Sequence, residues 1–225
     1  MCLFNPEYLD AAKNKDLVLK PMRREGYKYF VGVDPAISTD GDYNVITVIE
    51  MDADENKSVI YVDRAKNVQF RENIQKVKMI GQVFRPEAIL FETNTFAKSF
   101  TQELRQVADL NIHDFNTTRR KKQEIILNLQ MTLENNKLSF PYGNEESRRV
   151  TAILIEELSM FAITERGKFE GIGAHDDMVM SLALANAATH TMSETFILLD
   201  DLGLFEPPSV NRYKPNNGGV TGINF

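Results

Sequence analysis

Cysteine, tryptophan and long apolar runs are scarce in this sequence. The 225 residues include a single cysteine, Cys2, and no tryptophan. One cysteine excludes an internal disulfide and suits a reducing compartment. No stretch approaches the ~20 consecutive apolar residues that a membrane span needs, and the first residues lack the basic region and apolar run of a secretory signal. The sequence therefore predicts a soluble protein that is neither secreted nor membrane-bound.

An excess of basic residues is also missing. The chain has 26 Lys and Arg against 32 Asp and Glu, a net charge of -6. This balance excludes a protein that holds nucleic acid through a uniformly positive surface. A local basic groove stays compatible with it, because charges are screened beyond about 8–10 Å at physiological salt. With 43% hydrophobic and 26% charged residues, the chain has the composition of a globular domain with a real core.

The pattern of apolar and polar residues changes twice along the chain, which predicts three segments. Residues 1–28 mix short polar stretches with proline and paired arginines, and we expect a lead-in or linker there. Residues 29–199 carry the periodic apolar patterns of a folded domain. Residues 200–225 lack apolar periodicity, which predicts a flexible tail.

Within the central segment, strand patterns come first and then alternate with helical ones. Three apolar runs separated by turns rich in Gly, Asp and Asn predict an antiparallel meander: 29–33, 44–51 and 59–65. Helical apolar spacing follows, interrupted by three further short strands: 88–92, 112–115 and 138–140. Residues 176–190 are most simply helical, although the alternation of Met and Leu there also fits a strand. We expect an α/β fold in which a mixed sheet, antiparallel in the meander and parallel beyond it, is flanked by helices.

Acidic residues stand at the ends of two predicted strands and at the start of the last helix. Asp34 follows the first strand in GVDPA, and Glu92 ends the fourth in LFETN. Asp176 and Asp177 come directly after His175. If the first and fourth strands are parallel neighbours, both of their carboxylates open into one crevice at the carboxyl end of the sheet. Each acid taken singly has an ordinary explanation as a turn residue, a solvated strand end or a helix cap.

Carboxylates gathered in one place repel one another unless protons or cations neutralise them. Mg²⁺ and Mn²⁺ prefer oxygen ligands, and two such ions roughly 3.5–4 Å apart support phosphodiester hydrolysis. The hypothesis is that Asp34 bridges two ions, while Glu92 and Asp177 each support one. Asp176 is a fourth candidate ligand, and the sequence leaves open which of the adjacent aspartates binds metal.

Three motifs together, GVDPA, FETN and GAHDDMVMSLALA, resemble those of the nuclease domain of bacteriophage large terminases. The resemblance runs from about Tyr29 to Thr189 and implies an RNase H-like sheet with two divalent ions. It also implies an endonuclease that cleaves double-stranded phage DNA concatemers during genome packaging, with little sequence specificity. The catalytic and metal-binding roles carry over onto Asp34, Glu92 and Asp177.

The same resemblance implies a setting in the cytoplasm of an infected host. A terminase ATPase domain, the portal and the small terminase are the partners it implies. No G-x-x-x-x-G-K-[ST] phosphate loop occurs in the sequence. We therefore expect an isolated, monomeric nuclease domain that cuts DNA without translocating it.

Basic residues predict where DNA binds. Phosphate contacts dominate nonspecific DNA affinity, and one run of four basic residues stands out: Arg119, Arg120, Lys121 and Lys122. A solvated helix start is the alternative explanation for this run. Arg166 and Lys168, in a predicted Gly-punctuated hairpin, are weaker candidates for DNA contact.

Two further residues are candidates for orienting the metal site. His175 precedes the acidic pair, and Asp42 lies in the loop that follows the first strand. The acids of that loop are equally well explained as turn residues.

Three other functions share some of these features. A Holliday-junction resolvase also has an RNase H-like fold, but it would act as a dimer on four-way junctions. A non-catalytic DNA-binding or docking module would use the acids as caps alone and would bind DNA without cleaving it. An actin-like ATPase needs two duplicated domains, for which 225 residues are too few.

Overall fold

A seven-stranded mixed sheet lies at the centre of the structure, a computed structural model that describes residues 3–36, 43–93, 97–164, 167–172 and 175–190. Asp42, Arg166, Cys2 and the predicted tail lie outside these residues, so their predictions are named here without a structural outcome. None of the described helices is both long and apolar enough to cross a membrane.

In chain order, the described elements are α1 (Pro6–Ala11), β1 (Lys13–Asn14), β2 (Lys28–Asp34), β3 (Asn44–Met51), β4 (Lys57–Ala65), α2 (Phe70–Phe84), β5 (Ala88–Glu92), α3 (Ala97–Val107), β6 (Ile112–Phe115), α4 (Arg119–Glu134), β7 (Leu138–Pro141), α5 (Glu145–Ser159), β8 (Phe161–Ile163), β9 (Phe169–Gly171) and α6 (Asp177–Ala188).

The main sheet has the strand order β1-β7-β4-β3-β2-β5-β6, and β8 and β9 form a separate hairpin. The predicted meander is confirmed, because β2, β3 and β4 pair antiparallel. The parallel pairing of β2 with β5 is confirmed as well, and it places Val33 opposite Phe91. Their successors Asp34 and Glu92 therefore end neighbouring strands at the same edge of the sheet.

Helices cover both faces of the sheet, and alternation along the strands decides which residues face which layer. Tyr29, Val31 and Val33 pack into one cluster with α2 and α3. Phe30 belongs to the opposite cluster, which contains α4, α5 and α6. By the same alternation, Asp34 falls on the face that α6 covers. In β5, Ala88 and Leu90 belong to this second cluster, so Glu92 falls on the α6 face too.

The last predicted element is a helix and not a strand. Every residue of α6 from Met178 to Ala188 is buried. The alternation of Met and Leu, which also fitted a strand, therefore reflects a helix that is buried on all sides. The helix crosses β2 at Gly32, where a Cβ would overlap the backbone of Ser181 and Ala185. The Ser181 hydroxyl donates a hydrogen bond to the Gly32 carbonyl at 2.9 Å. Glycine is required here because helix and strand approach so closely.

The segment predicted as a lead-in differs from that expectation in its described part. Phe4 and Leu9 are fully buried, and the Phe4 ring packs edge-on against Phe161 with centroids 6.2 Å apart. β1 adds a parallel strand beside β7. The sequence pattern missed this packing because few apolar residues are involved and their partners are distant in the chain. The domain boundaries themselves stay a prediction.

Candidate metal centre

Asp34 and Glu92 meet at the carboxyl ends of β2 and β5. Their carboxyl groups are close enough to share a hydrogen bond. Burial raises the pKa of Asp34 well above its ordinary value, and the negative charges of Glu92, Asp177 and Asp176 raise it further. The structure therefore places Glu92, Asp176 and Asp177, the other acids that the sequence singled out, close enough to Asp34 for their charges to act on it.

Asp177 lies near Asp34 and Glu92 because α6 packs closely on β2 at Gly32. Ser181 is bonded to Gly32, and Asp177 lies one turn earlier in the helix, about 6 Å along its axis. Asp34 lies two residues beyond Gly32, about 6–7 Å along the strand. The start of the helix and the end of the strand thus converge at the same edge.

The Asp177 carboxylate has defined neighbours. Its Oδ2 accepts a hydrogen bond from the backbone N–H of Tyr43 at 3.1 Å. The same oxygen lies 3.5 Å from Nδ1 of His175, and the His175 ring packs edge-on against Tyr43 with centroids 5.1 Å apart. His175 is therefore placed beside Asp177, as an orienting residue would be.

Asp176 has a different partner from its neighbour. It occupies the N-cap position of α6 but accepts no capping hydrogen bond through its side chain. Its Oδ2 instead lies 2.9 Å from the Nζ of Lys122, in a partly buried ion pair. Helix capping, the ordinary explanation for this acid, is thus not what its side chain does.

Sequence reasoning missed an ion pair behind the site. Glu157 of α5 is 4% exposed, and its Oε1 accepts a hydrogen bond from Nη2 of Arg64 at 3.1 Å. Its Oε2 accepts one from the backbone N–H of Met178 at 2.9 Å. Burial raises the pKa of Glu157 to about 7, although the Met178 hydrogen bond and the Arg64 charge lower it. The signal available in the sequence was its position on the apolar face of α5, three residues after Leu154.

Three residues of the basic run 119–122 have defined surroundings: Arg119 and Lys122 lie in a shared concavity, and Arg120 lies elsewhere. A concavity of about 220 Å³ is lined by three basic residues, Arg119, Lys122 and Lys168, and by Phe169 and Glu170 of β9. Arg119 also donates a hydrogen bond to the Gly167 carbonyl at 2.9 Å, which ties α4 to the hairpin. Arg120 instead pairs with Glu124 of its own helix at 2.8 Å. The structure thus brings Arg119, Lys122 and Lys168 together and directs Arg120 to a neighbour on α4.

The sequence profile of the terminase RNaseH-like domain family matches residues 31–188. The chain belongs to this family. The matched region begins before Asp34 and ends with α6, so it contains the acids of β2, β5 and the helix start. A comparison with curated protein sequences finds no match.

Solved structures share the fold of this terminase RNaseH-like domain. The large terminase nuclease from thermophilic phage G20c with bound magnesium superposes with a TM-score of 0.62 at 21% identity, over 82% of this chain and 96% of that one. The Thermus phage P74-26 large terminase nuclease domain gives 0.57 at 20% identity, over 79% and 91%. The HK97 bacteriophage large terminase gives 0.61 at 10% identity, over 84% and 43%. These likenesses confirm the RNase H-like architecture.

The side chains at the edge of this terminase RNaseH-like domain suit a hard divalent cation. Its acidic donors are all oxygens, and the repulsion that Asp34 experiences from neighbouring carboxylates is what a cation relieves. Within the described part of the chain, no three His, Cys, Asp or Glu side chains already stand at metal-binding spacing.

Proposed function

We propose that this domain is a divalent-metal-dependent endonuclease that cleaves double-stranded phage DNA concatemers during genome packaging. The observation that carries the proposal is the meeting of Asp34 and Glu92 beside the start of α6, in a member of the terminase RNaseH-like family. The similar large terminase nuclease from thermophilic phage G20c has been solved with bound magnesium, with cobalt and with zinc. These structures support a divalent ion as the cofactor of the present chain.

Asp34, Glu92 and Asp177 are the residues that would hold two Mg²⁺ or Mn²⁺ ions. In this proposal Asp34 would be the ligand shared by the two ions, because the negative charges of both Glu92 and Asp177 raise its pKa. Two bound divalent ions supply the positive charge that phosphodiester hydrolysis requires at its attacking and leaving oxygens. Asp176 is proposed as a fourth ligand, which would have to leave its ion pair with Lys122 to bind an ion.

The surrounding residues orient the acids and hold the substrate. His175 and the Tyr43 backbone restrain the Asp177 carboxylate through the contacts described above. Arg119, Lys122 and Lys168 provide a concave basic surface for DNA phosphates beside Asp176. Because these contacts are to the backbone of the duplex, they carry little sequence specificity.

Several assignments rest on the sequence alone. Arg120, Lys121 and Arg166 remain proposed DNA contacts, and Asp42 remains a proposed orienting residue. We also propose that the domain acts in the cytoplasm of the infected host, with a terminase ATPase domain, the portal and the small terminase. The domain on its own is proposed to be a monomer.

Plasmid cleavage tests the proposal directly. Supercoiled plasmid incubated with the protein and Mg²⁺ or Mn²⁺ should be nicked and linearised, and chelation should stop the reaction. Asp34→Asn should abolish cleavage. Asp52→Asn, the same chemical change in the β3–β4 turn at the opposite end of these strands, should retain it. Failure of the wild type to cleave, or equal cleavage by Asp34→Asn, overturns the proposal.

The same assay separates the enzyme from its rivals. A terminase nuclease should cut linear duplex and supercoiled plasmid, whereas a Holliday-junction resolvase should prefer a four-way junction. A non-catalytic module should bind DNA with no metal-dependent cleavage of either substrate.

A further inference from the structure

A buried chain of contacts runs from the core to the Asp177 carboxylate. It begins at Glu157, which accepts the Met178 backbone N–H at 2.9 Å and so contacts the first turn of α6. Glu157 also accepts a hydrogen bond from Arg64 of β4 at 3.1 Å. One carboxylate thus connects α5, α6 and the sheet directly behind the metal centre.

Arg64 continues this chain on its other side. The central carbon of its guanidinium lies 3.3 Å from the centroid of the Tyr43 ring. Tyr43 in turn donates its backbone N–H to Oδ2 of Asp177 at 3.1 Å. The planar guanidinium therefore holds, by stacking, the residue whose amide restrains Asp177.

Stability alone gives a poor account of this arrangement. Burying an acid and a base removes both from water, and their attraction offsets that loss only when the geometry is favourable. Glu157 is 4% exposed and Arg64 is 20% exposed, so both are largely withdrawn from solvent. What the pair supplies is placement: Glu157 contacts the helix that carries Asp177, and Arg64 contacts the residue that orients its carboxylate.

We infer that Glu157 and Arg64 are positioning residues that pre-set Asp177 for metal binding. The inference rests on the proposed function and extends it to two residues outside the proposed metal ligands. Residues that orient metal ligands typically change metal affinity or activity by about 10–100-fold when they are altered. Loss of the pair should therefore change the metal requirement of cleavage while leaving DNA binding in place.

Glu157→Gln, assayed above pH 7 where Glu157 is mostly ionised, is the sharpest test, because it keeps an acceptor for the Met178 amide and removes the charge that pairs with Arg64. The Mn²⁺ concentration that gives half-maximal plasmid cleavage should rise about tenfold or more. DNA affinity without metal, measured by fluorescence anisotropy in EDTA, should stay unchanged. Glu156→Gln is the matched control, because it alters the adjacent, exposed acid on α5.

A purely structural role would give a different result. Loss of folded protein lowers the cleavage rate at saturating Mn²⁺ but leaves the half-maximal Mn²⁺ concentration where it was. If Glu157→Gln fails to fold, Arg64→Lys takes its place, because it keeps the positive charge and loses the planar stack on Tyr43. Arg64→Lys should show the same rise in half-maximal Mn²⁺ concentration.

The possible outcomes separate the two proposals. Absence of cleavage by the wild type refutes the proposed function. Cleavage by the wild type with an unchanged half-maximal Mn²⁺ concentration in Glu157→Gln, or in Arg64→Lys where Glu157→Gln does not fold, overturns the inference and leaves the nuclease standing.

Discussion

The Nζ of Lys122 lies 2.9 Å from Oδ2 of Asp176, so a lysine of the basic run is paired with an acid beside the metal centre. This contact gives Asp176 and Asp177 separate environments, although they are adjacent in the chain. Asp177 is surrounded by the Tyr43 amide and His175, whereas Asp176 faces an ammonium group. Lys122 therefore connects the proposed metal ligands to the proposed DNA-binding surface.

Removal of the Lys122 charge should have opposite effects on the two ligands. Lys122→Met leaves Asp176 without its cation, so a divalent ion should bind more tightly, by roughly fivefold for a change of about 1 kcal/mol. DNA should bind more weakly, because one phosphate contact is lost. Isothermal titration with Mn²⁺ and anisotropy with duplex DNA measure the two effects. A variant that loses affinity for both ligands contradicts this account of Lys122.

The concave basic surface predicts a change in salt dependence. Replacing Arg119 and Lys168 together with alanine should reduce the slope of log K against log salt by about 2 in magnitude, one for each lost phosphate contact. Metal binding should be retained. Lys13→Ala, which removes a partly exposed cation paired with Asp10 at the β1 edge of the sheet, is the control. A slope equal to that of the control would exclude this surface from the DNA contact.

The contact between α6 and β2 predicts an intolerant glycine. Gly32→Ala places a methyl group against the backbone of α6, so we expect a loss of about 3 kcal/mol or more in the free energy of unfolding. Ser181→Ala should cost less, about 1–2 kcal/mol, because it removes the hydrogen bonds of the Ser181 hydroxyl to Gly32 and Thr47 without adding volume. Urea denaturation compares the two variants. If the two variants lose the same free energy of unfolding, α6 moves away from β2 easily enough to accommodate the added methyl group.

A buried lysine predicts a stability change at alkaline pH. Lys57 donates a hydrogen bond to Asn186 at 2.9 Å in the core, and burial lowers its pKa from 10.5 to about 8. Between these two values the unfolded chain binds more protons than the folded one, so the free energy of unfolding rises with pH. The rise is about 3 kcal/mol, since one pKa unit corresponds to about 1.4 kcal/mol.

Lys57→Met isolates this effect, because other alkaline titrations occur in both proteins. The stability of the wild type relative to Lys57→Met should be constant below pH 8 and should increase between about pH 8 and 10.5. Parallel stability curves across that range would show that Lys57 is not protonated differently in the folded state.

The sheet edge could be predicted because its determinants are local. Apolar runs and turn residues mark β2 and β5, and each strand ends in an acid. Since parallel strands align their carboxyl ends, the sequence predicted that Asp34 and Glu92 lie together on the condition that their strands are parallel neighbours, and the structure meets that condition. For α6 the sequence favoured a helix but left a strand open, because its Met and Leu residues alternate; burial on all sides explains that pattern.

The sequence by itself thus determined the strands and helices from β2 onward and the strand ends that carry the acids, but not α1 and β1. Only the tertiary structure decided that Lys122 pairs with Asp176, that Glu157 contacts the start of α6, and that Phe4 packs on Phe161. Periodicity reports how a residue relates to its own helix or strand. It carries no information on which distant side chain faces it, because that depends on how helices approach the sheet and on the space left where they meet.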